Sequence, residues 1–236
     1  MAQSKAELRM TLRRGESVLL ALGIPVVLLG FFSVVDVLPT GSGDAVDFLF
    51  PGILALAVMS TAMVSTAIAT GFERQYGVLK RLGTTPLGRP RLLGAKVAAI
   101  AAVEALQVVV LLVEALALGY RFEVADLAVA LGTVVLATSA FAGLGLLMAG
   151  TLPALTTLAA ANGLYLVLLL LSGMLFPLDR LPGPLAAFAR ILPSGALAEI
   201  LRGALSGGGT FGRPLVILAV WALLTPIAAS RMFRWE

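Results

Sequence analysis

From Leu127 to Leu178 the chain runs 52 residues without one charged side chain. As a single helix at about 1.5 Å per residue that stretch would be about 78 Å long, against a hydrocarbon core of roughly 30 Å. It must fold back, and Gly150-Thr151-Leu152-Pro153 is the natural place, because proline disfavours helix at the residue before it. Of the 236 residues 59% are hydrophobic and 13% charged, where about 45–50% and about 25% are usual for a soluble domain. A chain this short cannot confine such an excess to a core, so its surface is apolar too and its solvent is lipid. The expected fold class is an all-α integral membrane protein.

Cysteine and histidine are both absent. That removes disulfides, thiolate metal sites and the commonest general base, so no metal site is expected and no catalytic residue is assigned. The net charge of +4 sits at segment ends, as membrane orientation requires, and does not point to nucleic acid.

Six spans are read, at about 17–38, 46–71, 92–119, 127–149, 154–176 and 213–232, in one transmembrane domain over 1–236. The first run could be mistaken for a signal peptide, but it is long enough to span and many more follow. Ahead of it, Lys5, Arg9 and Arg13 recur every four residues and Leu8 and Leu12 form an apolar stripe. This predicts an amphipathic interfacial helix over 1–16, the alternative being a basic tail that only sets topology. Lys5, Arg9, Arg13, Arg14, Arg74, Lys80, Arg81, Arg89, Arg91, Lys96, Arg231 and Arg234 fall on one side, twelve cations in all. Arg121, Arg180, Arg190, Arg202 and Arg213 make five on the other. The positive-inside rule therefore puts both termini in the cytoplasm.

The segment 72–91 interrupts the apolar pattern. Phe72, Tyr76, Leu79 and Gly83 fall on one helical stripe, while Glu73, Arg74, Lys80 and Arg81 mostly lie elsewhere. Thr84-Thr85-Pro86 and Gly88-Arg89-Pro90 are expected to break the helix. A short amphipathic helix across the cytoplasmic mouth between spans 2 and 3 follows, able to pass force from a cytoplasmic partner into the membrane.

Pro177, Pro182, Pro184 and Pro193 chop 177–208 into pieces too short to span. Leu185–Leu192 and Ala196–Leu205 are nonetheless apolar, which predicts that 177–208 rests at membrane depth against protein; an ordinary outer loop is the alternative. Ser194 is expected as an N-cap. In span 3, Glu104, Gln107 and Glu114 lie within about an 80° arc at about 100° per residue. Buried charge is costly in a bilayer, so these face protein or water, either lining a substrate path or joining helices. Gly143, Gly145 and Ala159-Ala160-Ala161 permit close helix packing.

Glu73-Arg74-x-x-Gly77-x-x-Lys80-x-Leu82-x-x-x-Pro86 followed by Lys96 resembles the ABC-2 class of ATP-binding-cassette permeases, of the daunorubicin-exporter and polysaccharide-exporter type. A second stretch is similar to the same family: Leu171-Ser172-Gly173-Met174-Leu175-Phe176-Pro177-Leu178, then Leu181-Pro182, Leu192-Pro193 and Glu199-x-x-Arg202. The resemblance covers essentially the whole chain. It implies that 72–84 is a coupling helix docking on a nucleotide-binding subunit through Phe72, Glu73, Arg74, Tyr76, Gly77, Leu79, Lys80 and Arg81. It implies that 177–208 is a broken helical hairpin re-entering from the outer face, marked by Pro177, Pro193, Glu199 and Arg202. It also implies two permeases, identical or paralogous, with two ABC ATPase subunits in a bacterial cytoplasmic membrane. This sequence has no G-x-x-x-x-G-K-[ST] phosphate loop, so ATP and Mg belong to the partner and no cofactor is expected on this chain. A drug, lipid or glycan-like substrate is implied, without a choice among them. Two other readings are a proton-coupled secondary transporter using Glu104 and, further off, an intramembrane enzyme.

Overall fold

The computed structural model describes residues 15–35, 45–79, 88–175, 178–206 and 211–234. Most of the expected interfacial helix, Lys80, Arg81, Pro177 and the connector 207–209 lie outside the described residues. The helices are α1 (Gly15–Val34), α2 (Ala45–Met59), α3 (Thr66–Gln75), α4 (Gly88–Ala117), α5 (Val124–Thr151), α6 (Ala154–Leu171), α7 (Gly183–Ala189), α8 (Pro193–Leu205) and α9 (Gly212–Met232). A π-helical segment, Ser60–Ser65, joins α2 to α3 and makes 45–75 one rod of 31 residues. Among the described residues there is no strand.

Five helices are long and apolar enough to cross a membrane: the 45–75 rod, α4, α5, α6 and α9. Within α1 the stretch Ala21–Val34 is a shorter apolar helix, and the bent pair before α9 makes a sixth candidate when taken as one span. Between α6 and α9 lie α7 and α8, bent by 83° at a short break. Pro25, Pro51 and Pro226 sit inside α1, α2 and α9, which neighbouring helices tolerate at membrane depth.

Several boundaries differ from the sequence expectation. Span 2 does not stop near Gly71; its helix runs to Gln75, so Phe72, Glu73 and Arg74 occupy its last turn instead of a separate helix. Gly88-Arg89-Pro90 opens α4 instead of breaking a helix. Proline is tolerated in a first turn, where its missing N–H has no intrahelical partner to lose. The fifth span ends at Leu171, five residues early, because Gly173 turns the chain at a φ of +73°. Ser194 is not an N-cap: α8 begins at Pro193, and the Ser194 hydroxyl is buried without a partner among the described residues.

The rod 45–75 is the hub. Of its most apolar window 78% is buried, against 22% for α6 and for α9, so span 2 is clad in protein while those two face outward. Leu49, Phe50, Ile53, Met59 and Met63 are sealed within the core. Against the rod lies α5, whose other flank packs on α9, and glycines allow both approaches. A Cβ on Gly145 would meet the Met63 carbonyl at 2.6 Å, and one on Gly143 would meet the Pro226 backbone nitrogen at 2.6 Å. Close backbones of this kind are how helices gain dispersion contacts in lipid, where burial from water is not the drive. The Thr225 hydroxyl adds a 2.7 Å bond to the Ala140 carbonyl and Ser139 a 2.9 Å bond to that of Ala222.

The long uncharged stretch turns at Leu152-Pro153, with Leu152 extended at φ −103°, ψ 153°. The Arg234 backbone N–H donates to the Gly150 carbonyl at 3.0 Å, which puts this turn and the end of α9 at the same end of the bundle.

Candidate functional site

At that end the rod stops. Gly77, at φ +67°, takes the left-handed conformation that ends helices, and its N–H donates to the Arg74 carbonyl at 3.0 Å. The chain is helical again at Val78 and Leu79. The Phe72 and Tyr76 rings stack with centroids 6.1 Å apart. Leu79 is buried, whereas Gln75, Tyr76 (69% exposed) and Val78 face outward. The terminus of the most buried span therefore presents a small, partly aromatic edge to the surroundings.

The neighbouring charges turn the other way. Glu73 pairs with Lys96 in the second turn of the apolar run of α4, where the lysine side chain is 8% exposed and the glutamate 26%. The Arg74 Nη2 donates to the Leu152 carbonyl at 2.5 Å, one of the last carbonyls of α5 that has no partner inside its own helix. A cation there also meets the negative end of the helix dipole. The Thr157 hydroxyl reaches the carbonyls of Leu152 (3.3 Å) and Met148 (3.4 Å). Phe233 packs on Gly150, where an added Cβ would lie 2.9 Å from the Phe233 Cα. Of the residues expected to contact a partner, Glu73 and Arg74 thus bond within the chain, Leu79 is covered, and Phe72, Tyr76 and Gly77 lie at the edge.

The polar groups of α4 face different neighbours. Glu104, 2% exposed, faces α5 and accepts a hydrogen bond from Thr138, whose hydroxyl also lies 2.8 Å from the Val134 carbonyl. Gln107, 1% exposed, donates from Nε2 to the Ala21 carbonyl of α1 and to the Thr61 hydroxyl of the π segment, both at 2.9 Å. Glu114 packs on α1, its Oε1 lying 3.1 Å from where a Cβ on Gly30 would be. One arc of α4 therefore serves three neighbours, α5, the rod and α1.

At the opposite end Arg202 of α8 donates to the Gly173 carbonyl at 2.8 Å, and its guanidinium lies 4.1 Å from the Phe48 ring centroid. This pins the turn after α6 to α8 and to the start of the rod, while Glu199 is exposed and Pro193 is buried at the head of α8. The Tyr120 ring lies 4.9 Å from that of Phe50, and its hydroxyl donates to the Leu205 carbonyl. Burial, with Asp47 and Asp126 nearby, pushes the Tyr120 hydroxyl up to about 12, so it stays a neutral donor. An open polar cleft of about 660 Å³ lies beside it, lined by Asp47, Arg121, Glu123, Asp126 and Ser206 among others. Among the described residues no group of three carboxylates could hold a metal ion.

Sequence reasoning did not find the Leu152 carbonyl, the Phe233–Arg234 contact, Thr138 or the π segment. A lone lysine just inside an apolar run, Lys96, was a signal for a buried acidic partner. Backbone acceptors carry no signal of that kind.

A family model described as "ABC-2 type transporter" matches residues 2–205. No curated protein matches the chain.

Proposed function

The chain belongs to the ABC-2 type transporter family, a membrane-spanning permease subunit whose membership implies an ABC ATPase subunit as its partner, and on that premise we propose how it is driven. The ATPase docks on the edge formed by Gln75, Tyr76, Gly77 and Val78, with Lys80 and Arg81 continuing the contact and Phe72 and Leu79 supporting it from beneath. ATP and Mg stay on that subunit, and this chain makes no covalent bond. Its work is a change of state biased by the partner. The observation that carries this reading is the placement of an exposed aromatic edge at the end of the most buried span. A push there enters the rod that the other helices clasp, not a peripheral helix.

The assembly is an exporter in a bacterial cytoplasmic membrane, with both termini cytoplasmic, a reading supported by the twelve-to-five cation bias. The bent pair α7–α8 lies on the outer side as a re-entrant element held by Arg202. The drug, lipid or glycan-like substrate passes between this permease and a second one, identical or paralogous, because Glu104 and Gln107 are sealed within the subunit. The faces of α1, α6 and α9 turn large apolar residues such as Val27, Leu170 and Leu223 outward, toward lipid or that second subunit.

Because the chain has no cysteine, Tyr76→Cys supplies one thiol for the test. In membranes containing both subunits a short bifunctional crosslinker should join that thiol to the ATPase, and should not do so from Val113→Cys on α4. An ATPase that co-purifies but never crosslinks from position 76 refutes the docking edge. The chain purified alone should hydrolyse no ATP, and robust turnover would overturn the separate-ATPase reading.

A further inference from the structure

Arg74 turns away from the exposed edge beside it, and three separate stretches of chain converge on the turn it holds. The end of the rod reaches the α5–α6 turn through the Arg74 bond to Leu152, 2.5 Å long. The chain after α9 reaches the same turn through the Arg234 N–H to Gly150, 3.0 Å, and through Phe233 seated on Gly150. Thr157 closes it from the start of α6. Arg74 Nη1 is buried with no hydrogen-bond partner among the described residues. An arginine fork half spent on one carbonyl is an uneconomical helix cap, since a buried N–H without a partner costs about as much as a made bond returns. What the arginine does that a water or a serine could not is reach from one span to the turn between two others.

We infer that Arg74 is a positioning residue that carries displacement of the docking edge into the α5–α6 turn, with Phe233–Arg234 completing the seat from the side of α9. The inference rests on the docking reading above. In it the edge 75–78 and the turn 150–153 move as one body. The Glu73–Lys96 pair joins the start of α4 to the same body. The rod's last turn then has ties to α4, to α5 and α6, and through the turn to α9, so a push on one exposed edge reaches four spans. A cap with no part in coupling would stabilise the turn equally whether or not ATP is bound, and this difference is measurable.

The permease is co-purified with its ATPase in nanodiscs, and hydrogen exchange is followed in peptides covering 72–79 and 148–158, at rest and trapped with MgATP and vanadate. In the wild type, trapping should change exchange in both peptides together. In Arg74→Gln the Leu152 and Thr157 amides, bonded to the Met148 and Pro153 carbonyls on either side of the turn, should exchange about tenfold faster at rest, the loss of one charge-assisted hydrogen bond. Trapping should still change 72–79 but should no longer change 148–158. Retention of the ATP-dependent change at 148–158 in Arg74→Gln overturns the relay and leaves Arg74 a structural cap. A wild type in which trapping changes neither peptide overturns the docking reading and the relay with it. Should glutamine at 74 prevent assembly, Arg74→Met keeps most of the stem but has no donor for the Leu152 carbonyl. The same two peptides are then followed in that variant, and a wild-type response at 148–158 is again the result that overturns the relay.

Discussion

Glu73 and Lys96 form an ion pair whose partners are unequally sealed, and the inequality fixes the order in which substitutions should hurt. The lysine side chain is 8% exposed and the glutamate 26%. Removing one partner of a fully buried pair costs about 3–5 kcal/mol, because the remaining charge is stranded, whereas exposed pairs are worth about 0–1 kcal/mol. In Glu73→Gln the ammonium is left nearly enclosed with only a neutral amide beside it, which places the cost near the buried limit at about 2–3 kcal/mol. In Lys96→Met the glutamate retains a route to water and the methionine fills the lysine's stem volume, so about 1 kcal/mol is expected. The double substitution strands no charge and should cost about 1 kcal/mol, giving a coupling of about 2–3 kcal/mol across the cycle. Unfolding of the purified permease in mild detergent, titrated with SDS and followed by tryptophan fluorescence, measures all four corners of the cycle. Equal costs for the two single substitutions, or a larger cost for Lys96→Met, would show that solvent access does not govern this pair.

Gly143→Val places side-chain atoms where the Thr225 and Pro226 backbone already lies, within 3 Å of the first carbon added. Because backbone cannot yield as a side-chain tip can, α5 and α9 should separate at a cost of more than about 3 kcal/mol, read as loss of monodisperse protein on size exclusion, while Gly163→Ala, with open space around it, should elute unchanged. Glu104→Gln preserves a hydrogen-bonding group opposite Thr138 and should leave both stability, within about 1 kcal/mol, and export unchanged; loss of export with intact folding would return Glu104 to the transport path.

The membrane fold was legible because its signal is redundant. Some twenty apolar residues per span announce themselves, and the fold-back in the uncharged stretch was readable in the single residue Pro153. Span ends were less legible. A helix does not stop where charge begins, and Glu73 and Arg74 remain helical because each finds a partner one helix away, Lys96 and the Leu152 carbonyl. Pro90 misleads for a local reason: the same residue ends one helix and begins another, depending only on which side the chain continues. For the candidate site the sequence showed which residues were out of place in lipid but not whom they face. Glu104, Gln107 and Glu114 share an arc of α4 and still serve different neighbours, because an arc of about 80° on a helix touches more than one partner at bundle spacing.

The π segment at Ser60–Ser65 has a mechanical consequence for the rod. A π turn closes its hydrogen bonds from i to i+5 and so holds one residue more than the α ladder on either side. Here the Thr66 hydroxyl lies 3.4 Å from the Thr61 carbonyl, and Gln107 clasps the Thr61 hydroxyl at 2.9 Å. An α-helix advances about 100° per residue. Releasing that surplus residue along the ladder would swing the half of the rod bearing Glu73 and Arg74 by about that angle about its own axis, breaking the Glu73–Lys96 and Arg74–Leu152 ties but no covalent bond. Span 2 is built like a shaft with a spare tooth, held in one notch by a glutamine from the helix beside it.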